Sequence, residues 1–158
     1  MKKFGSRLAL HLGAVAVLAC LFTQRGETQD VSLRPTYGTV NLRAGFVPDP
    51  FFQNVAAGGP IQTNLGGVNA WVARAPDFRL NYTRGNFALT FMAESAEDTT
   101  LLINLPNNTW VANDDGPNTG LNPLLRFAQP LSGQYDIWVG TFNQGKTPPA
   151  RLVITELK

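Results

Sequence analysis

One cysteine, Cys20, and one histidine, His11, are all that this 158-residue chain has of either. A lone cysteine allows no disulfide within the chain, so stability in an oxidising compartment has to come from burial alone. Charge is sparse as well: Asp, Glu, Lys and Arg make up 15% of the residues, and the arginines are scattered. Neither a Gly-rich phosphate loop nor a dinucleotide fingerprint occurs. The apolar run from Leu8 to Ala19 is too short to span a bilayer comfortably.

That run follows Lys2, Lys3 and Arg7 and ends in small residues, which is the pattern of an export signal over residues 1–19. Its removal takes His11 with it, and with His11 go the Ser-His-Asp and Cys-His catalytic systems and the usual zinc sets. Three of the 13 basic residues also leave, so 10 remain against 11 acidic ones. A nearly neutral domain offers no electrostatic footprint for nucleic acid. Val17-Leu18-Ala19-Cys20 fits two kinds of processing. An ordinary signal peptidase would cut after Ala19; a lipoprotein peptidase would cut at the same bond and leave Cys20 to be lipidated, the chain's one expected route to a membrane. The expected location is periplasmic, outer-membrane-anchored or secreted.

What remains is rich in turn formers, with 15 Gly and 11 Pro in the whole chain. Residues 20–37 are polar without periodicity and read as a flexible tether, leaving 38–158 as a single domain able to bury a core. Pro48, Pro50 and Pro60, with Gly45, Gly58 and Gly59, break up the first part of it. This density of Pro forbids a regular helix and predicts an edge strand or a wrapping loop, with Phe46, Phe51 and Phe52 pinning it to the body. From Asn69 onward apolar residues recur at every second position: Phe78, Leu80, Tyr82; Phe87, Leu89, Phe91, Ala93; Thr99, Leu101, Ile103, Leu105; Tyr135, Ile137, Val139. Leu152 to Leu157 closes the chain as a last strand. About eight or nine short strands at this spacing predict an all-β, antiparallel β-sandwich.

Several of these elements occur in a familiar order. Asp98-Thr-Thr-Leu-Leu-Ile-Asn-Leu-Pro106, the Asp114-Asp115-Gly116 turn, Asn122-Pro-Leu-Leu-Arg-Phe127 and Ser132-Gly-Gln-Tyr-Asp-Ile-Trp-Val139 resemble the bacterial pre-peptidase C-terminal domain. The resemblance covers roughly residues 69 to 157. It implies a jelly-roll-like sandwich, non-catalytic, usually appended to secreted hydrolases and in some cases binding calcium or polymeric substrates. This chain departs from that context, carrying no protease or glycosidase sequence beside the domain. Residues 38–68 look closer to small exported proteins with a similar β-domain, some of which carry Cys where this chain has Val68 and Ala112.

Two constellations are candidate sites. Asp114 and Asp115, with Asn118 and Asn122 nearby and Asp98 if its strand end lies alongside, supply the hard oxygens that calcium needs. The alternative is a plain turn, in which Asp and Asn side chains cap their own backbone. Asp136 and Trp138 share a strand face, where an exposed indole beside a carboxylate would suit glycan or peptide stacking; the alternative is that a loop covers Trp138 and it fills a second small core. Adjacent carboxylates on one turn do not face each other across a substrate gap, as acid and base partners must. The expected function is therefore binding: a module of the envelope or secretome recognising a protein, glycan or envelope polymer, with calcium as the only expected cofactor. A structural role, packing through sheet edges or the 46–52 segment, is the rival reading, and a carboxylate-based glycan hydrolase the third.

Overall fold

The computed structural model describes residues 28–157, so the expected export signal over residues 1–19, with His11, and the expected lipidation site Cys20 lie outside the described residues. Eleven strands and no helix make up this region: β1 Thr39–Arg43, β2 Phe51–Ala56, β3 Ile61–Leu65, β4 Val68–Val72, β5 Phe78–Thr83, β6 Leu89–Glu94, β7 Thr99–Asn104, β8 Trp110–Asn113, β9 Leu124–Phe127, β10 Gly133–Thr141 and β11 Pro149–Thr155. They form two sheets, as the alternating pattern predicts. The strands beyond the expected number come mainly from the Pro- and Gly-broken segment, which yields β1, β2 and β3 between its turns.

The smaller sheet has the order β2-β11-β6-β9, all antiparallel. The larger is organised by β10, nine residues long. One edge of β10 pairs with β7, which in turn pairs with β8. The other edge pairs first with β5, from Gly133 to Ile137, and then touches β4 at Thr141. Beyond β5 lies β1, parallel to it, with Thr39 opposite Arg79 and Arg43 opposite Thr83. Between β5 and β4 the edge of β10 has no strand beside it. Its backbone groups there are nevertheless paired, because an unmade buried hydrogen bond is costly. The Val139 N–H donates to Asp77 Oδ2 at 2.8 Å, and the Val139 carbonyl accepts from the Gly58 N–H at 2.8 Å.

Alternate side chains point to opposite faces, so the inner faces of both sheets build one core. It contains Phe78, Leu80 and Tyr82 of β5, Leu101 and Ile103 of β7, Tyr135, Ile137 and Val139 of β10, and Leu89, Phe91, Leu152 and Ile154 from the facing sheet. Phe91 lies 5.5 Å from Tyr135 across the interface. The outer face of the larger sheet carries a second cluster. Leu102 and Trp138, pointing away from the main core, are covered by Ile61, Ala70 and Val72 of the β3–β4 hairpin. Val68 and Ala112 both pack against this cluster. Gly140 lets the hairpin approach: a Cβ there would lie 2.3 Å from Thr100 Oγ1 and 3.0 Å from the Trp71 carbonyl oxygen.

Two boundaries and one side-chain orientation differ from the sequence reading. The expected tether is docked from Asp30 onward: its N–H donates to the Arg74 carbonyl at 2.9 Å, and those of Thr36 and Tyr37 donate to Pro76 and Asp77. The folded unit thus starts about eight residues before 38, because Arg74 to Asp77 has backbone acceptors to satisfy along that side. Phe87 is exposed and precedes β6 rather than joining its inward row. Phe46 is buried and Phe51 stacks on Phe78 at 5.7 Å, but Phe52 turns outward under the Arg151 guanidinium.

Candidate functional site

The β7–β8 register explains how the acidic residues meet. Leu101 is opposite Asn113, so continuing the pairing brings the turn after β8 alongside the start of β7, where Asp98 sits. Burial, and after it the charge of Asp115, raises the Asp98 carboxyl above the ordinary carboxylate range. Asp114 is raised by burial, then by Asp98, then by Asp115. The three carboxylates therefore share one negative field. Asp98 Oδ1 and Asp114 Oδ1 are buried atoms without a hydrogen-bond partner.

The two amides of the candidate set do something else. Asn122 Oδ1 accepts from Thr99 Oγ1 at 2.6 Å, its Nδ2 donates to the Ser95 carbonyl at 2.9 Å, and its own carbonyl accepts from the Gly116 N–H at 2.9 Å. Asn118 holds a left-handed backbone, φ 62°, as a turn residue. Asn122 clamps the loop to β7 and Asn118 bends it. The orphaned carboxylate oxygens suit a hard cation in chemistry. Among the described residues, however, no group of three or more His, Cys, Asp or Glu is spaced to hold a metal as it stands. A groove of about 250 Å³ beside the turn is lined by Glu94, Ser95, Asn118, Thr119 and Asn122, and none of the three carboxylates lines it.

Asp136 and Trp138 are not presented to a ligand. Trp138 is 0% exposed and packs 5.1 Å from Trp110 beneath the β3–β4 hairpin. The stacking platform is thus corrected to the second-core alternative: an indole on the outer face is too large an apolar surface to leave uncovered. Its Nε1 has no partner. Asp136, 2% exposed, is engaged by Arg79 Nε at 2.6 Å and by Gln134 Nε2 at 2.8 Å. The same guanidinium donates to the Val31 and Leu33 carbonyls at 2.7 and 3.3 Å. Asp136 is therefore part of the clamp that holds the segment before β1.

Sequence reasoning passed over a groove of about 520 Å³ on the same outer face, where β1, β5 and the start of β10 lie side by side. Register arranges its outward side chains in rows. Asn41 is opposite Asn81 and Asn81 opposite Gln134; Arg43 is opposite Thr83, with Ser132 just before β10. Asn81 Nδ2 donates to Asn41 Oδ1 at 2.8 Å, which leaves the Asn41 amino group and the Asn81 carbonyl oxygen for a ligand. Leu42 and Tyr82, which also border the groove, belong to the main core. The groove adjoins two more, one of about 380 Å³ with Arg84, Asn107 and Ser132, the other of about 390 Å³ with Arg84, Asn86 and Gln129. No carboxylate lines any of the three. The outward Arg79 and Asn81 of the alternating pattern were the visible signal; their neighbours are set by pairing across distant positions. No protein-family model matches the chain, and no curated protein matches it.

Proposed function

We propose that this chain is an exported β-sandwich module without catalytic activity, held in the envelope or released, that binds an extracellular or envelope polymer. The observation that carries this reading is the open polar groove over β1, β5 and β10, mounted on a sheet whose opposite face is the main core. A rigid scaffold with unspent amide and hydroxyl groups suits hydrogen bonding to a hydroxylated ligand at little ordering cost. Such a module resembles the pre-peptidase C-terminal domain in having a binding role.

Calcium belongs to this reading as an ordering ion. Asp98, Asp114 and Asp115 are not spaced to hold it as they stand and would have to draw together around it; when bound it would supply the positive charge that three neighbouring carboxylates lack. Asn122, whose Oδ1 accepts from Thr99 Oγ1 at 2.6 Å, clamps the loop from outside that set.

The test of binding is co-sedimentation of the full chain with purified insoluble envelope and extracellular polymers. Retention that is lost on Asn81→Ala, with melting temperature unchanged, is the expected result. Absence of retention on every polymer would overturn the proposal. A second reading, assembly, is favoured by one observation: Val47, in the Pro-rich segment, and Phe52, in the edge strand β2 of the smaller sheet, are exposed, Phe52 at 47%. Sedimentation analysis of the full chain against Phe52→Ser decides it, since assembly through this segment requires a dissociation that the substitution promotes.

A further inference from the structure

Building on the binding reading, we infer that the β1–β5–β10 groove and the two grooves beside it form a site for a uronate-bearing polysaccharide, with Arg43 of the first and Arg84 of the other two as the residues that read its carboxylates. The charge pattern carries this. The ion pairs among the described residues are Arg74–Asp30, Arg79–Asp136 and Arg151–Glu94, and Arg43 and Arg84 take part in none of them. Both are exposed, and they lie together: Arg43 is the register partner of Thr83, the residue before Arg84. The Arg84 backbone N–H donates to Ser132 Oγ at 3.1 Å, which ties that residue to the start of β10. The adjoining grooves hold these two guanidinium groups and no carboxylate, in a chain whose acidic and basic residues are otherwise nearly balanced. The guanidinium fork matches a planar carboxylate through two parallel hydrogen bonds.

The rest of the surface suits sugar hydroxyls rather than a protein. Protein interfaces are anchored by aromatic and aliphatic side chains in pockets, whereas the outward rows here are Asn41, Asn81, Gln134, Thr83 and Ser132. Amides and hydroxyls both donate and accept, as sugar hydroxyls do. The far end of the face is closed by the segment that Arg79 holds through Val31 and Leu33. The open direction therefore runs past Ser132 to Arg84 and around the end of the sandwich, a path that a linear polymer can follow.

The test is calorimetric titration of the full chain with oligosaccharides of two uronic acid polymers, alginate and polygalacturonate, and with neutral dextran oligosaccharides. At least one uronate series should bind about tenfold more tightly than dextran, with affinity falling as salt rises. Arg43→Gln with Arg84→Gln should remove that advantage, bringing uronate affinity down to that for dextran, while Asn81→Ala should weaken both. Arg43→Lys with Arg84→Lys keeps the charge but not the fork and should fall between. Melting temperatures of the variants identify any loss due to unfolding, and the Lys pair then serves in place of the Gln pair. Equal affinity for uronates and dextran, no binding of either uronate, or a Gln pair that binds uronate like the wild type would each overturn the inference. In any of these cases, retention on an envelope polymer would leave the broader binding reading standing; loss of that retention too would end both.

Discussion

At the scale of single residues, the buried acids are the most consequential. Asp77 stands where β10 has lost its neighbour strand and accepts the Val139 N–H. Burial pushes its carboxyl up to about 7, opposed only by that hydrogen bond. The folded state then keeps a proton that the unfolded chain gives up near 3.8. This contribution to stability is complete below about pH 4 and declines as pH rises through 7, by on the order of 1.4 kcal/mol per pH unit within that window. Asp98 and Asp114 are raised too and add to the slope with the same sign. Asp77→Asn keeps an oxygen for Val139 but has no proton to lose. Urea denaturation across pH 4 to 8 should show a shallower decline for the variant, and the variant should be the more stable of the two at pH 8. An unchanged slope would mean that Asp77 does not titrate in this range.

The acidic turn yields a prediction of opposite signs in two conditions. Without metal, Asp114→Asn relieves repulsion from Asp98 and Asp115 and should raise the melting temperature. With calcium, the wild type should gain several degrees by mass action, about 2.7 kcal/mol when calcium reaches a hundred times its dissociation constant. Asp114→Asn should lose most of that gain. Identical melting of the wild type with calcium and with chelator would remove the ion from the account and leave a strained turn.

At the scale of elements, two attachments decide what the larger sheet exposes. The segment from Asp30 to Tyr37 is held by Arg79, itself held by Asp136. Arg79→Ala deletes the clamp and leaves a carboxylate that is 2% exposed without its cation. The expected cost is about 3 to 5 kcal/mol, with faster amide exchange at Tyr37 and Thr36 as the local signature. The β3–β4 hairpin is the other attachment. Truncation of Trp138 beneath it should cost about 3 to 5 kcal/mol, and proteolysis should then cut first within Ile61–Val72. Cuts distributed evenly along the chain would mean that the hairpin does not open as a unit. The strands themselves were readable from alternation, most plainly Phe78–Thr83 and Gly133–Thr141. Pro48, Pro50 and the clustered glycines hid the strands of residues 39–65, because breakers mark where a strand ends without telling whether one lies between.

At the scale of the whole molecule, the sequence by itself determined the fold class. Residues alternating between apolar and polar can bury one face only as paired strands, and with so many turn formers they had to be short. It also determined that the acidic turn would be a local feature, since Asp114 and Asp115 are neighbours in the chain. Only the tertiary structure decided which outward faces stay open. Trp138 and Asn81 both lie on the outer face of the larger sheet, yet a hairpin from residues 61–72 covers the first and nothing described covers the second. Alternation tells a side chain to leave the core, but whether it meets solvent or another layer depends on where distant segments settle. For the same reason Asp136 became a clamp rather than a ligand contact, and Arg43, remote in sequence from Arg84, came to line a groove next to those that Arg84 lines.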